Sequence, residues 1–375
     1  MLPSARAITV ASIVVLLVAS GGDLATLAGG PGSAGRSAVP AQAVLTDIWG
    51  YGVTRQSSSY TIAAKDGKNS AGTTNTLSRW SAGKYSVFLP GLNVGAFNAG
   101  TALLTTLTGD AKHLCVIDDF GWHSPAPAEI DVECFNRSGT PTDSTFSASL
   151  LDGQSLTGKS GYVWANDPTN PTYIPDVSYQ YNSTGATNTI DRLSKGRYAV
   201  HLPGLATARG NVQVASRFVA SSSKPAGCRV LTWGPSAADL VVIVQCRNLA
   251  GAKADADFDL FFGQGQGLKG PGVGPVAYLD ANHPTTGSYA PDPLRRFSTA
   301  GMAPNVARTG IGRYWVTLPG MPTGGSAQVT PYGSGGSHCV LNSIGTLGGP
   351  QLIGVRCFKP NGDRVDTEFG LTYQH

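Results

Sequence analysis

Charge is scarce in this sequence. Lys, Arg, Asp and Glu together make up 13% of its 375 residues, about half the usual share. The net charge is only +4 and no run of Lys or Arg occurs, so we predict no nucleic-acid partner. No segment keeps a hydrophobic period of 3.6 residues, and we therefore expect almost no helix.

Catalytic and metal-binding motifs are also missing. The sequence contains no Gly-x-Ser-x-Gly, no His-Glu-x-x-His and no phosphate loop, which are the local signatures of common hydrolases and nucleotide enzymes. No Cys-x-x-C spacing occurs and no histidine is placed regularly beside a cysteine, which argues against zinc. We therefore predict a protein that is not an enzyme and that has no cofactor and no metal.

Glycine (49 residues) and proline (24 residues) are abundant, which is typical of short strands joined by turns. One pattern, Gly-x-Tyr-x-Val-x-Leu-Pro-Gly, occurs three times, at residues 83–91, 196–204 and 312–320. Its tyrosines are 113 and 116 residues apart. The chain therefore consists of three tandem copies of one module.

The repeat defines the predicted organisation of the chain. Module 1 covers residues 44–151, module 2 residues 160–262 and module 3 residues 275–375. The joints between them are rich in glycine, which favours three separate units on flexible linkers. In the repeated pattern, Tyr198, Val200 and Leu202 alternate with polar or small residues, so we assign them to the core face of a strand. We predict an all-β fold of three tandem antiparallel β-sandwich modules, Ig-like or Greek-key-like, with about seven strands each.

Each module contains two cysteines. Six cysteines allow fifteen pairings, but the repeat favours one disulfide within each module, between the two ends of a hairpin. The predicted pairs are Cys115–Cys134, Cys228–Cys246 and Cys339–Cys357. Such disulfides place the protein in an oxidising compartment.

The N-terminus predicts export. Arg6 precedes an uncharged apolar stretch over residues 7–20, which is the length of a signal-peptide core. We assign residues 1–43 to a signal peptide and a low-complexity segment, with cleavage at Ala41-Gln42-Ala43 or, alternatively, near Ser20 or Ala28. An uncleaved anchor is the other alternative. After signal removal no membrane span remains, and we expect a secreted protein, extracellular or in the cell envelope.

A family resemblance rests on several motifs together. They are Tyr-Val-Trp-Ala at residues 162–165, Asn-Ser-Thr-Gly at 182–185, the repeated tyrosine pattern, the paired cysteines and a closing Asp-x-x-Phe at 255–258. This set resembles an uncharacterised tandem-repeat β domain of secreted bacterial proteins, including those of actinobacteria. The resemblance implies export and tandem repetition, with no assigned activity. Module 3 departs from it at Asp280, which stands where module 2 has Trp164.

Two polar residue types recur in register. The aspartates are Asp143, Asp255 and Asp366. We predict that they accept backbone N–H bonds in turns and prefer this to a calcium site, which would need more oxygen ligands. The arginines are Arg79, Arg192 and Arg308. We expect them to be solvated, and pairing with the aspartates is the alternative.

One cluster of chemically capable residues does not recur. Asp118, Asp119, Trp122 and His123 lie between the cysteines of module 1 and could perform acid–base chemistry or stack on a sugar. The favoured interpretation is a polar loop closed by the disulfide. Trp122 and Trp233 both follow the first cysteine of their modules, so we expect them to pack on the disulfide, with polysaccharide binding as the alternative.

These observations predict a secreted, non-catalytic repeat protein with a binding, adhesion or structural role at or outside the cell envelope. Three copies of a weak binder gain avidity when they engage together. The expected partner is a cell-surface polysaccharide or protein. Two alternatives remain open: a carbohydrate-binding protein and a secreted hydrolase with its site in module 1.

Overall fold

The computed structural model describes residues 48–92, 100–122, 127–153, 156, 158–218, 225–269 and 274–375, and for Trp122 the backbone only. The predicted signal segment, residues 1–43, and His123 lie outside the described residues. In the part of the chain that is described, no helix is long and apolar enough to cross a membrane.

Each module contributes nine strands in its described residues. In module 1 they are β1 Trp49–Val53, β2 Tyr60–Thr61, β3 Gly67–Asn69, β4 Thr76–Ser81, β5 Lys84–Leu89, β6 Thr101–Thr106, β7 His113–Trp122, β8 Ala128–Asn136 and β9 Phe146–Leu151. In module 2 they are β10 Ser160–Ala165, β11 Thr172–Tyr173, β12 Gln180–Asn182, β13 Thr189–Ser194, β14 Arg197–Leu202, β15 Asn211–Ser216, β16 Ala226–Ser236, β17 Asp239–Asn248 and β18 Phe258–Gly263. In module 3 they are β19 Val276–Ala281, β20 Ser288–Tyr289, β21 Arg296–Ser298, β22 Asn305–Gly310, β23 Arg313–Leu318, β24 Ser326–Pro331, β25 His338–Gly345, β26 Gln351–Phe358 and β27 Phe369–Gln374. A 3-10 turn, Val177–Tyr179, precedes β12.

The predicted fold class is confirmed, because every module is an antiparallel β-sandwich of two sheets. In module 1 the four-stranded sheet has the order β3-β1-β9-β6 and the five-stranded sheet the order β2-β4-β5-β8-β7, and modules 2 and 3 repeat both orders. The expected seven strands become nine for two reasons. Residues 76–81, just before the repeated tyrosine pattern, form the additional strand β4, and a two-residue edge strand, β2, pairs with it.

The repeated tyrosine pattern forms the central strands β5, β14 and β23. Tyr198, Val200 and Leu202 have no exposed surface, whereas Arg197 is exposed, which confirms the predicted core face. The leading glycine is required by geometry. Gly196 has a φ of +62°, and a Cβ there would lie 2.6 Å from the carbonyl oxygen of Cys246, so a larger residue would be strained.

The recurrent Asp, Arg and Tyr form one cluster per module. In module 2, Arg192 donates from Nε and NH2 to the two carboxylate oxygens of Asp255, at 3.0 and 2.8 Å. Gly196 N and Tyr198 Oη donate to the same carboxylate. The predicted backbone bond is confirmed, and the expectation of a solvated arginine is wrong, because a bidentate pair gains two charge-assisted bonds at once. In module 1 the equivalent arginine lowers the pKa of Asp143 to about 2.

The three disulfides are Cys115–Cys134, Cys228–Cys246 and Cys339–Cys357, the pairing that the repeat predicts. In each module the two cysteines face each other directly across a pair of neighbouring strands. No free cysteine remains in the described residues. Three disulfides indicate a non-reducing compartment.

The expectation of separate modules on flexible linkers is wrong, because the three modules form one ring. Strands β6, β15 and β24 contact one another, and one parallel bridge joins each pair of modules: Leu107 to Leu341, Arg217 to Ile117, and Tyr332 to Val230. The first residue of each bridge follows β6, β15 or β24, and the second lies two residues after the first cysteine of its module. The same head-to-tail contact therefore occurs three times and closes with pseudo-threefold symmetry.

The linkers belong to this ring. Leu156, between modules 1 and 2, and Leu268, between modules 2 and 3, are 4% and 2% exposed and pack with the core residues of module 1. Lys269 places its ammonium group 3.7 Å from the ring centre of Trp49 and donates to the carbonyl of His375. Gly158 and Gly265, which are described residues of these linkers, have φ values of +84° and +68° that suit tight turns, and the two buried leucines pack the linkers against the core of module 1.

Candidate functional site

The three modules together line a partly open cavity of about 120 Å³ on the pseudo-threefold axis. Its apolar part is formed by Leu104, Val214 and Val329, which occupy the same position in β6, β15 and β24. The first cysteine of each disulfide also lines it. No single module can form this cavity, because every module supplies one third of its wall.

Three hairpin turns, one from each module, also border the cavity. They follow β8, β17 and β26, and residues of all three line it. The second residue of each turn faces a glycine of a neighbouring module: Leu249 faces Gly139, Pro360 faces Gly251, and Arg137 faces Gly362. A Cβ at Gly362 would lie 2.3 Å from the Arg137 guanidinium. The approach is tightest at Gly251 and Gly362, and all three glycines have a positive φ, which favours glycine there.

Arg229 is the most unusual residue of the cavity. It is 3% exposed and donates from NH1 to Ser337 O and Oγ, at 3.0 and 3.2 Å, and from NH2 to Tyr332 O. Its buried Nε has no protein partner among the described residues. Burial, and then the charge of Arg247, lower the pKa of Arg229 to about 10. The guanidinium is charged at neutral pH and has only neutral acceptors.

Arg247 and His338 lie beside it. Arg247 donates to Gln245 Oε1 at 3.1 Å and to Gly251 O at 2.7 Å. Burial, followed by the charges of Arg137 and Arg229, lowers the pKa of His338 to about 4. His338 is therefore neutral at pH 7, mainly because it is buried, and the two arginine charges act in the same direction.

The modules differ at the cavity although they agree in the core. The residue after the first cysteine is Val116 in module 1, Arg229 in module 2 and Val340 in module 3. The residue after the second cysteine is Phe135, Arg247 and Phe358, in the same order. The sandwich fold does not require Arg229 or Arg247, because modules 1 and 3 form the same fold without them.

The cluster predicted in module 1 lies at the contact between modules 1 and 2. Asp118 O accepts a hydrogen bond from Arg217 NH2 at 3.4 Å, and the Asp119 carboxylate lies 3.5 Å from the same group. Arg217 also contacts the buried Asp259 at 3.4 Å. The acidic pair is thus part of an interface, and Trp122 and His123 cannot be placed beside it because their side chains lie outside the described residues.

A second cavity, of about 280 Å³, lies between modules 2 and 3. Trp233, Asp280, Arg295 and Glu368 line it. Trp233 is 7% exposed. Its ring lies against Phe262 and under the Arg295 guanidinium, at 6.0 and 3.5 Å. Strand register aligns Trp233 with Phe120 and not with Trp122, so the two tryptophans do not occupy equivalent positions.

Acidic groups of this second cavity are hard to ionise. Burial raises the pKa of Asp280 to about 7, against the opposing charge of Arg295. Burial also raises the pKa of Glu368. Among the described residues, no group of three or more His, Cys, Asp or Glu side chains is arranged to hold a metal ion.

The sequence analysis did not identify Arg137, Arg229 and Arg247, the arginines that line the axial cavity. These arginines neither recur in register nor form known motifs, because they are exceptions within the repeat. A charged residue next to a disulfide cysteine, where sister modules have valine or phenylalanine, is the signal that could have found two of them. Comparisons with protein-family models, curated proteins and solved structures give no significant match, so the site must be interpreted from its own geometry.

Proposed function

We propose that this chain is a secreted, non-catalytic binding protein that holds a small molecule in the axial cavity. The observation that carries the proposal is that all three modules line this cavity while differing in the residues that they present to it. A shared scaffold with divergent lining is what a binding site on a repeated fold requires, because function resides in sites placed on a fold. The signal-like N-terminus and the three disulfides support a location outside the cytoplasm.

Two observations favour binding over catalysis. The acidic pair Asp118 and Asp119 contacts Arg217 and is held at an interface. His338, the imidazole of the axial cavity with the strongest pKa shift, is neutral and stacks on Phe358 with ring centres 5.6 Å apart. Neither place combines a nucleophile, a base and an orienting group, which a covalent mechanism needs.

The test is a thermal-shift screen of the full chain against a panel of small polar and charged metabolites. A ligand of the axial cavity should raise the melting temperature of the wild type and have little effect on Val214→Phe, because the larger side chain fills the space. Val177→Phe is the matched control, since Val177 is 78% exposed and does not line the cavity. Equal shifts in wild type and Val214→Phe would place the ligand elsewhere and refute the proposal.

Carbohydrate binding is a second candidate, favoured by the cavity between modules 2 and 3. Asn282 Oδ1 there is a buried acceptor without a hydrogen-bond partner among the described residues, and a sugar hydroxyl group could satisfy it. Titration with monosaccharides, followed by tryptophan fluorescence in wild type and Asn282→Ala, tests this function. Saturable quenching that Asn282→Ala abolishes would support it.

A further inference from the structure

The axial cavity carries an excess of positive charge. Four basic side chains line it: Lys112, Arg137, Arg229 and Arg247. Among the described residues, no Asp or Glu lines it, and none of the four basic groups forms an ion pair with a described carboxylate. Asp110, two residues before Lys112, does not line the cavity; it is partly exposed and contacts His113 at 3.4 Å.

Arg229 supplies an independent observation. A buried charge without a counter-charge is costly, and a protein keeps it only where something compensates it. The sister modules show that the fold accepts valine here, since Val116 and Val340 are 0% and 3% exposed. The neutral acceptors Ser337 and Tyr332 satisfy the two terminal nitrogens, but Nε remains unpartnered.

A bound anion would compensate the excess positive charge of the cavity and could accept a hydrogen bond from Arg229 Nε. An oxyanion accepts hydrogen bonds from guanidinium groups in a geometry that neutral carbonyls cannot match. Meanwhile Leu104, Val214 and Val329 offer the rest of a ligand an apolar surface. The cavity is small, about 120 Å³, which limits the ligand to a compact molecule.

We propose that the axial cavity binds a small molecule bearing one oxyanion group, which Arg229 holds together with Arg137 and Arg247. This inference rests on the proposed binding function and specifies the chemistry of its ligand. The recognised chemistry is the oxyanion itself, whether it is a free inorganic anion or the carboxylate or phosphate of a compact organic molecule.

The experiment is calorimetric titration of the full chain with sodium sulfate, sodium phosphate and sodium butyrate, with sodium chloride as the ionic-strength control. Three variants copy residues of the sister modules: Arg229→Val, Arg247→Phe and Arg137→Leu. Each variant removes one charge without adding an unfamiliar side chain. Arg209→Val removes an exposed arginine that does not line the cavity and serves as the matched control.

We expect saturable one-to-one binding of at least one oxyanion by the wild type and by Arg209→Val. Affinity should fall about 10- to 100-fold in Arg229→Val, the range for losing a hydrogen bond to a charged group. Preference for butyrate over the inorganic anions would identify an organic ligand, and the reverse preference an inorganic one. Binding should also shift the NMR signals of His338, which lines the cavity.

Two results overturn the inference. One is no oxyanion binding above the chloride control, and the other is equal affinity in Arg229→Val and wild type. These results are separable from failure of the binding function, since a neutral ligand could still shift the melting temperature in the Val214→Phe comparison. If Arg229→Val does not fold, Arg137→Leu and Arg247→Phe provide the same comparison.

Discussion

Replacement of Arg217 by leucine should destabilise the protein in a way that depends on pH. Arg217 is 3% exposed and lies between modules 1 and 2. It contacts Asp259, which has no exposed surface, at 3.4 Å, and its guanidinium lies 4.2 Å from the ring centre of Trp164. The equivalent residue of module 1 is Leu107, so the substitution introduces a side chain that the fold already uses at this position.

The sign of the effect follows from Asp259. Burial raises the pKa of Asp259 to about 7, with Arg217 opposing the rise, whereas the unfolded value is about 3.9. A raised acid pKa means that stability is highest at low pH and falls as the pH rises from about 4 to about 7. Without Arg217 the pKa rises further, because its lowering charge is gone. The fall in stability then continues above pH 7 in the variant and stops there in the wild type.

The loss of unfolding free energy in Arg217→Leu has two parts. At pH 5 Asp259 is protonated in both proteins, and the variant loses mainly the cation–π contacts and packing of Arg217, about 1–2 kcal/mol. Above pH 7 the difference grows by about 1.4 kcal/mol per pH unit. The cost therefore reaches about 3–4 kcal/mol near pH 8 to 9, within the range for breaking a buried ion pair.

Urea denaturation at pH 5, 7, 8 and 9, followed by tryptophan fluorescence, measures both parts. The double variant Arg217→Leu/Asp259→Ser recreates the Leu107 and Ser147 pair of module 1 and should lose the dependence above pH 7. Arg209→Leu, an exposed arginine, should change stability little at any pH. A cost that is constant between pH 5 and pH 9 would refute the reasoning, as would an unchanged slope in the double variant.

Three further predictions concern single modules. Tyr198→Phe should cost about 1–3 kcal/mol in calorimetric unfolding, because it leaves the buried N–H of Ala256 without its acceptor; no change would contradict this role. Cys228→Ala/Cys246→Ala should lose about 3 kcal/mol, while thermal unfolding stays sensitive to reductant because the other two disulfides remain; a stability equal to that of the wild type would contradict this. His338, with a pKa lowered to about 4, should contribute stability above about pH 6.5 that is lost as the pH falls to 4; an NMR titration near pH 6.5 would contradict this.

The internal structure of each module was largely predictable from the sequence. A period-2 strand such as Tyr198, Val200 and Leu202 needs only local alternation and a glycine at a tight turn. The disulfides followed from two cysteines per copy on opposite sides of a hairpin. Repetition strengthened both inferences, because a residue that three copies share is a residue that the common fold needs.

The ring was not predictable by the same reasoning. Its contacts are made by residues that the copies do not share, such as Arg217 in module 2 and Tyr332 in module 3. The linkers were misinterpreted because their glycines suggested mobility, while the few apolar residues that bury them, Leu156 and Leu268, carried no pattern. Long-range pairing of this kind leaves no periodic signal in the sequence.

Because the three modules belong to one chain, they can carry different residues at equivalent positions around the axis. In a homotrimer every axial residue would appear three times, and three copies of Arg229 would place three unpaired charges around one small cavity. A single chain can place one arginine there and keep valine at the other two positions. The interfaces use the same freedom: Arg217 joins modules 1 and 2, Arg295 lies over Trp233 between modules 2 and 3, and Arg55 donates to Ile344 O between modules 3 and 1. These three arginines occupy different positions of the repeat, so the chain keeps a symmetric scaffold while varying the surfaces at which its modules meet.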